Sequence, residues 1–403
     1  VESLSTTALF NGDRPFSVRE PAASFAHARV AVLVDTATGW GRRMIDGIQR
    51  YSRKQGFWRL LVEPRGQTEH LRVPHGWQGD GVIARVSSRA MYNELCELGM
   101  PVVNISGIHL PLADPFPTVT TNLRACGKIA AAHLLDRGLQ HFAYFGMTRL
   151  QHVATQCDGF REALQTAGFT CHLCAPELGK TWLQRIKLTA EWLQTLPKPV
   201  GIFAWARGGL HLLDACHHVG LKVPEEVAVL DGDEDDLYEA GWPPLSGVEV
   251  PSELIGHEAA ACLHRLMKGE PAPPEPTLFP PTRVSARQST DTLAIDDPEV
   301  ATAVRFIRAN AGRPITVEDV LGEVPISRRS LERRFLQLFG RTPATEIRRV
   351  HLERAKQLLI MTDLSISEVA AAAAYSSPEY LTSVFKTSEG MTPLRFRSKM
   401  RGR

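Results

Sequence analysis

The feature that most constrains this chain is a repeat in its last hundred residues. "SRRSLERRFLQLFGRTP" (327–343) and "SPEYLTSVFKTSEGMTP" (377–393) share one pattern 50 positions apart. Leu331, Phe335 and Leu338 in the first, and Leu381, Val384 and Phe385 in the second, form one apolar stripe of helical period. Both segments close on Gly-x-Thr-Pro, Gly340–Pro343 and Gly390–Pro393, where glycine ends a helix and proline starts the next. A short helix precedes each: "TVEDVLGEV" (316–324) and "SISEVAAAAAY" (365–375). Ser365-x-x-Glu368 has capping-box spacing. Small residues from Ala370 to Ala374 let a second helix cross closely above the first. The repeat therefore predicts two helix–turn–helix units, about 316–340 and 365–390, joined by the long helical pattern Thr342–Met361.

Charge sorts the chain in the same way. The formal net charge is +2, from 46 basic and 44 acidic residues. Residues 298–403 hold 18 of the basic and 11 of the acidic ones, a net of +7, which leaves 28 against 33, a net of −5, for the rest. A basic end on a mildly acidic body suits contact with a polyanion.

Ahead of that end, from Arg29 to about Ser285, strand-length apolar runs alternate with amphipathic helices. The runs are 29–35, 58–63, 81–86, 101–106, 141–146, 201–206 and 227–232. Such alternation predicts βαβ units and parallel sheets. About 260 residues is large for one sheet, so two α/β lobes are expected, with ligands beyond the strand C-termini. The expected organisation is a disordered extension over 1–27, an α/β domain over 28–288, a linker over 289–297 and a helical domain over 298–403.

No apolar run reaches the roughly 18 residues of a membrane span, and the first 27 residues lack the apolar stretch of a secretory leader. Seven scattered cysteines form no disulfide framework, which favours a reducing cytoplasm. Cys171-x-x-Cys174 has no second pair at zinc-finger spacing, so no metal or cofactor is expected. The sequence carries no Gly-x-Ser-x-Gly elbow, Walker loop or dinucleotide fingerprint, which argues against an enzyme. "DGDEDD" (231–236) reads as an acidic strand end more readily than as a metal cluster.

With both units, the linking helix and both Gly-x-Thr-Pro ends in place, residues 326–397 resemble the DNA-binding domain of the AraC/XylS transcription factors. The resemblance implies that two recognition helices enter successive major-groove segments of double-stranded DNA. Carried over by position, the first would read bases with Arg329, Glu332 and Arg333, with Arg328 beside them. Arginine can bond guanine bidentately and glutamate can accept from cytosine. The second would use Glu379, Tyr380, Thr382 and Ser383, a far less basic set. Arg334, Arg348, Arg349 and Lys386 would contact phosphates, which position without specifying.

The α/β half resembles the LacI/periplasmic sugar-binding-protein fold, on "TTNLRACGKIAAAHLLDRGLQHFAYFG", "GLKVPEEVAVLDGDEDDL" and "PPLSGVEVPSELIGHEAAACLHRLMKGE". The combination of this fold with the AraC/XylS-like end implies a cytoplasmic homodimer that binds xylose or another pentose between its lobes and activates transcription with RNA polymerase. Asp233 matches that family's strand-end aspartate. Asn122, Gln156, Ala206 and Glu234 stand where the family has other polar groups, and Asp35, Trp40 and Trp205 are candidate replacements in the pocket. These departures remove hydrogen-bonding groups that sugar hydroxyls require. The alternative is a ligand-independent regulator whose α/β half serves only for dimerisation.

Overall fold

Each of the seven apolar runs becomes a strand, because a parallel sheet covered on both faces needs strands without a polar side. The structure is a computed structural model, which describes residues 28–64, 71–112, 115–175, 181–239, 241–292 and 297–401. The expected extension over 1–27, and positions 293–296 of the expected linker, lie outside the described residues.

The first lobe contains β1 (Arg29–Leu33), α1 (Gly39–Lys54), β2 (Arg59–Val62), β3 (Gly81–Ala84), α2 (Arg89–Glu97), β4 (Val102–Asn104) and β5 (Val119–Thr121). The second takes α3 (Leu123–Leu135), β6 (His141–Phe145), α4 (Gln151–Thr166), β7 (His172–Cys174), α5 (Trp182–Thr195), β8 (Val200–Ala204), α6 (Gly208–Val219), β9 (Val227–Asp231) and β10 (Ser246–Glu249). The chain returns to the first lobe as α7 (Ser252–Met267) and β11 (Thr277–Phe279), then to the second as β12 (Arg283–Ser285). Three crossings thus join the lobes.

The first sheet has the order β2-β1-β3-β4 and is parallel, with Ala31 opposite both Leu61 and Val82. The second has the order β12-β10-β9-β8-β6-β7, parallel except for β12. A short ribbon, β5 with β11, pairs Thr120 with Leu278 at the crossings. Helices cover both faces of each sheet, giving each lobe two apolar layers. Glycines set the tightest helix crossings. A Cβ on Gly47 would meet the Glu253 carbonyl of α7 at 1.9 Å, and one on Gly127 of α3 would meet the Gln156 carbonyl of α4 at 2.1 Å.

Ser289 and Thr290, placed in the linker by composition, are fully buried. Ser289 donates to the Val229 carbonyl at 2.6 Å, and Thr290 bonds the Ser246 hydroxyl and the His133 ring. Both side chains are thus packed into the α/β half, where the Ser289 hydroxyl satisfies a β9 carbonyl buried from water.

The helical half contains α8 (Pro298–Ala309), α9 (Val317–Gly322), α10 (Arg328–Phe339), α11 (Pro343–Met361), α12 (Ile366–Ala372), α13 (Pro378–Glu389) and α14 (Pro393–Arg401). Asp297 caps α8 through the Val300 amide, with Pro298 in the first turn. Thr316 with Asp319, and Ser365 with Glu368, form capping boxes at the two units' first helices. Helix α11 is the shared pillar. Its Ile347 joins the core that holds Leu331 and Phe335, whereas Ala355, Leu358 and Leu359 join the core that holds Leu381 and Phe385.

Candidate functional site

The apolar stripe of the repeat decides which side chains α10 and α13 present outward. Leu331, Phe335, Leu381 and Phe385 have no exposure at all. At 3.6 residues per turn, burial of these four turns Arg329 and Arg333 to solvent on α10, and Glu379, Ser383 and Lys386 on α13. Ser327 and Ser377 cap the two helices through the amides of Ser330 and Tyr380. Gly340 and Gly390 end them in the left-handed region.

The arginines divide into two sets. Arg329 and Arg333 are exposed, and among the described residues neither makes an ion pair. Arg328 is held by Glu318 at 2.5 Å and by Glu332 at 3.0 Å, so it fixes the reading helix to α9. Arg348 is exposed and donates only a 3.3 Å hydrogen bond to Thr345 among the described residues. Arg334 and Arg349 do not fit the phosphate role expected of them. Arg334 pairs with the α8 cap residue Asp297 at 2.9 Å. Arg349 pairs with Asp136 of the α/β half at 2.6 Å and with the buried Glu346 at 2.8 Å. A guanidinium already paired and half-buried gains little from a phosphate. In the second unit, Thr382 bonds back to the Pro378 carbonyl at 2.8 Å, and the Ser377 hydroxyl holds the Glu379 carboxyl below its usual range. Tyr380 is 49% exposed, with its ring 5.8 Å from that of Tyr375.

In the α/β half, strand C-termini of the two lobes face each other. Gly39 at the start of α1 donates to Asp235 at 2.7 Å, and Arg43 donates to the Glu234 carbonyl at 2.5 Å. Trp40 packs against the cores of both lobes. Asp35, beyond β1, is 3% exposed and pairs with Arg85, beyond β3, at 3.2 Å. Burial raises the Asp35 carboxyl and Arg85 partly offsets this. Across the gap, Trp205 meets the His152 ring edge-on at 5.2 Å. His152 is lowered by burial first and by Arg85 second, which places these groups in one electrostatic neighbourhood. Asp233 is pushed up to about 7 by burial, against a bond from the Glu234 amide and with Asp231 and Asp235 nearby.

Other expected pocket residues are engaged in the fold. Asn122 caps α3 by accepting from the Ala125 amide at 3.0 Å. Gln156 is 1% exposed and accepts from the Tyr144 hydroxyl at 2.9 Å. Glu234 pairs with Arg287 at 2.6 Å and Arg43 at 3.6 Å. Asp231 accepts from the Arg207, Gly209 and Asp233 amides and from the Tyr238 hydroxyl, so the acidic run is a strand end tied into its own loop. Arg85 and His152 went unnoticed in the sequence; the position of Arg85, one residue past a fully apolar strand, was the signal available for it. Among the described residues no group of three metal-ligating side chains could hold an ion, and no helix is long and apolar enough to cross a membrane.

Comparison with known proteins agrees with this division of the chain. Residues 29–122 match the XylR N-terminal domain, 131–290 a periplasmic binding protein-like domain, and 322–399 a helix-turn-helix domain. The xylose operon regulatory protein of Escherichia coli K12 is 32% identical over 385 residues, covering 92% of this chain and 96% of that one. That of Haemophilus influenzae is 31% identical over 379 residues, covering 92% and 98%. The solved structure of a xylose-binding transcription activator, XylR, aligns with a TM-score of 0.60 at 31% identity, over 92% of this chain and 98% of that one. The fold and the paired reading helices thus define a DNA-binding transcriptional regulator, with an AraC-type helix-turn-helix domain behind a two-lobed periplasmic-binding-protein-like domain. Within that class, the chain belongs to the family of xylose operon regulatory proteins.

Proposed function

We propose that this regulator is a non-catalytic activator switched by a small neutral sugar, D-xylose or another pentose, held between the two lobes. We divide it into a sensor over 28–290 and a DNA-binding domain over 298–403. The observation that carries the reading is the pair of facing strand ends: Asp35 and Arg85 on one lobe, Trp205, His152 and Asp233 on the other. Carboxylates and an arginine can bond sugar hydroxyls, and an indole can cover a ring face. The charges there are largely paired, Arg85 with Asp35 and Arg43 with Glu234, which suits a neutral ligand better than a charged one. The relatives' names support xylose, and Asn122, Gln156, Ala206 and Glu234 are the positions that separate this pocket from the family pattern.

On the DNA side, Arg329 and Arg333 read bases in the first half-site, with Glu332 beside them. Glu379, Tyr380 and Ser383 supply a weaker second reader, and Arg348 and Lys386 meet phosphates. The regulator acts in the cytoplasm as a homodimer that places both DNA-binding domains on adjacent half-sites and engages RNA polymerase there. Calorimetry with D-xylose, L-arabinose, D-ribose and D-xylulose tests the sensor reading. One-site heat with a pentose that is lost in Asp233→Asn supports it. Absence of heat with all four, together with sugar-independent operator binding, favours a sensor half that only dimerises.

A further inference from the structure

Among the described residues, a charged cluster joins the two halves of the chain. Helix α3 runs from the crossing, where Asn122 donates to the Phe279 carbonyl at 2.7 Å, to its C-cap Asp136. The Asp136 carboxylate receives Arg341 at 2.7 Å and Arg349 at 2.6 Å, and its backbone carbonyl receives Arg308. Arg341 and Arg349 also bond Glu346, which is 2% exposed, at 2.6 and 2.8 Å. Arg137, next in sequence, turns the other way and donates to the Thr290 carbonyl, fixing the end of α3 to the last turn of the sensor. Two guanidiniums of the DNA-binding domain thus share two carboxylates, of which the sensor supplies Asp136, and a third takes the Asp136 carbonyl. Its position at a helix C-terminus, where carbonyls carry partial negative charge, adds to its hold on cations.

The geometry of α11 gives this cluster a further meaning. Its 19 residues, at about 1.5 Å each, make a rod of roughly 28 Å. Near its N-terminal end, Arg349 sits on the second lobe through Asp136. At its C-terminal end, Ile360 lines a groove of about 790 Å³ shared with Arg43 and Glu253 of the first lobe and Glu234 and Glu249 of the second. The rod carries both reading units, since each unit's core includes one half of it. A rod held near one end by the second lobe moves with that lobe when the lobes rotate. Lobe movement therefore shifts the rod relative to the first lobe.

We infer that Asp136 anchors a latch that docks the first reading unit on the second lobe and relays lobe movement to the DNA-reading helices. The latch is made in the arrangement seen here, with Gly39 and Asp235 in contact across the cleft; α3 is the lever from the crossing to the latch, and α11 the arm that moves. This inference rests on the α/β half being a two-lobed sugar sensor, but its first test does not require the sugar.

The experiment uses the full chain as wild type, Asp136→Asn, Asp136→Glu, and the exchanged pair Asp136→Arg with Arg349→Asp. Hydrogen exchange without ligand is the first reading. Asp136→Asn should speed exchange over 343–350, with Asp136→Glu close to wild type and the exchanged pair in between. Unchanged exchange in Asp136→Asn overturns the latch. The second reading is affinity for a genomic DNA fragment selected by the wild-type protein, with and without D-xylose. If D-xylose changes wild-type affinity by about ten-fold, within the usual range of allosteric coupling, Asp136→Asn should reduce that ratio to within about two-fold of unity while calorimetry still shows D-xylose bound. A folded Asp136→Asn protein with the full ratio overturns the relay. If the wild type ignores D-xylose, the sugar reading fails at that step and the exchange data alone decide the latch.

Discussion

Ala374 lies in the turn of the second helix–turn–helix unit with φ at 62°. The caps of the first unit, Thr316 and Ser327, are 11 positions apart; those of the second, Ser365 and Ser377, are 12 apart. The extra residue lies in α12, which has seven residues against six in α9, while both connections span five; Ala374 stands just past the C-cap Ala373, where glycine is usual. A left-handed conformation costs an L-residue about 1–2 kcal/mol. Glycine would remove that cost but lose about 0.5–1 kcal/mol to its greater freedom when unfolded. Ala374→Gly should therefore stabilise the helical domain by about 0.5–1 kcal/mol. For a domain of about 100 residues that is a rise in melting temperature of roughly 2–8 °C. Scanning calorimetry of the full chain, with the helical and α/β transitions separated, measures it. Ala371→Gly, on the exposed side of α12, is the control and should lower the same transition by about 0.5–1 kcal/mol. If Ala374→Gly lowered stability as Ala371→Gly does, the strain argument would fail.

Arg333→Ala should cost about 1–3 kcal/mol at one position of the first half-site and relax base choice there, whereas Arg348→Ala should weaken all sequences alike and reduce the salt slope by about one; binding to randomised duplexes at several salt concentrations separates the two. Gly127→Ala should destabilise the sensor by about 1–3 kcal/mol or more, because its Cβ would overlap the α4 backbone rather than a side chain that could move; urea unfolding followed in the α/β transition reads this. Burial alone would raise the Glu346 carboxyl, yet hydrogen bonds and charge from Arg349 and Arg341 bring it down to about 2, against an ordinary 4.5. Because the folded value is depressed, its contribution, about 3 kcal/mol for a shift of about 2.5 units, is present above pH 4.5 and lost as pH falls from there toward 2. The stability difference between wild type and Glu346→Gln should therefore shrink across that window, as acid titration of unfolding would show.

How much of this could be read from the sequence depended on the distance over which each interaction acts. The reading helices were legible because the repeat is local: Leu331, Phe335, Leu381 and Phe385 report their own burial through period alone. The fully buried strands were legible for the same reason. The β5–β11 ribbon was not, since it pairs Val119 with Thr277, two short segments with no apolar signature. Helix α5 was missed because its pattern, with Trp182 57% and Leu183 47% exposed, does not separate an inner face from an outer one. Arg334 and Arg349 looked like phosphate ligands because the sequence shows a basic helix but not Asp297 or Asp136; Arg349 meets Asp136 across 213 positions. Gln156 looked like a sugar ligand because its partner, the Tyr144 hydroxyl, is set by tertiary packing. Conversely, Arg85 and His152 became candidates only when the two lobes were seen face to face.

The central claim is that one molecule couples sugar binding to sequence-specific DNA binding. The most direct test titrates the purified full chain onto a genomic fragment it selects, and onto a shuffled fragment of equal composition, with and without D-xylose. The account predicts that the selected fragment binds at least about a hundred-fold more tightly than the shuffled one, that D-xylose or another pentose shifts the former affinity and not the latter, and that Arg333→Ala reduces the preference while leaving the sugar's heat of binding intact. Equal affinity for both fragments, or a fragment preference that no pentose alters, would contradict it.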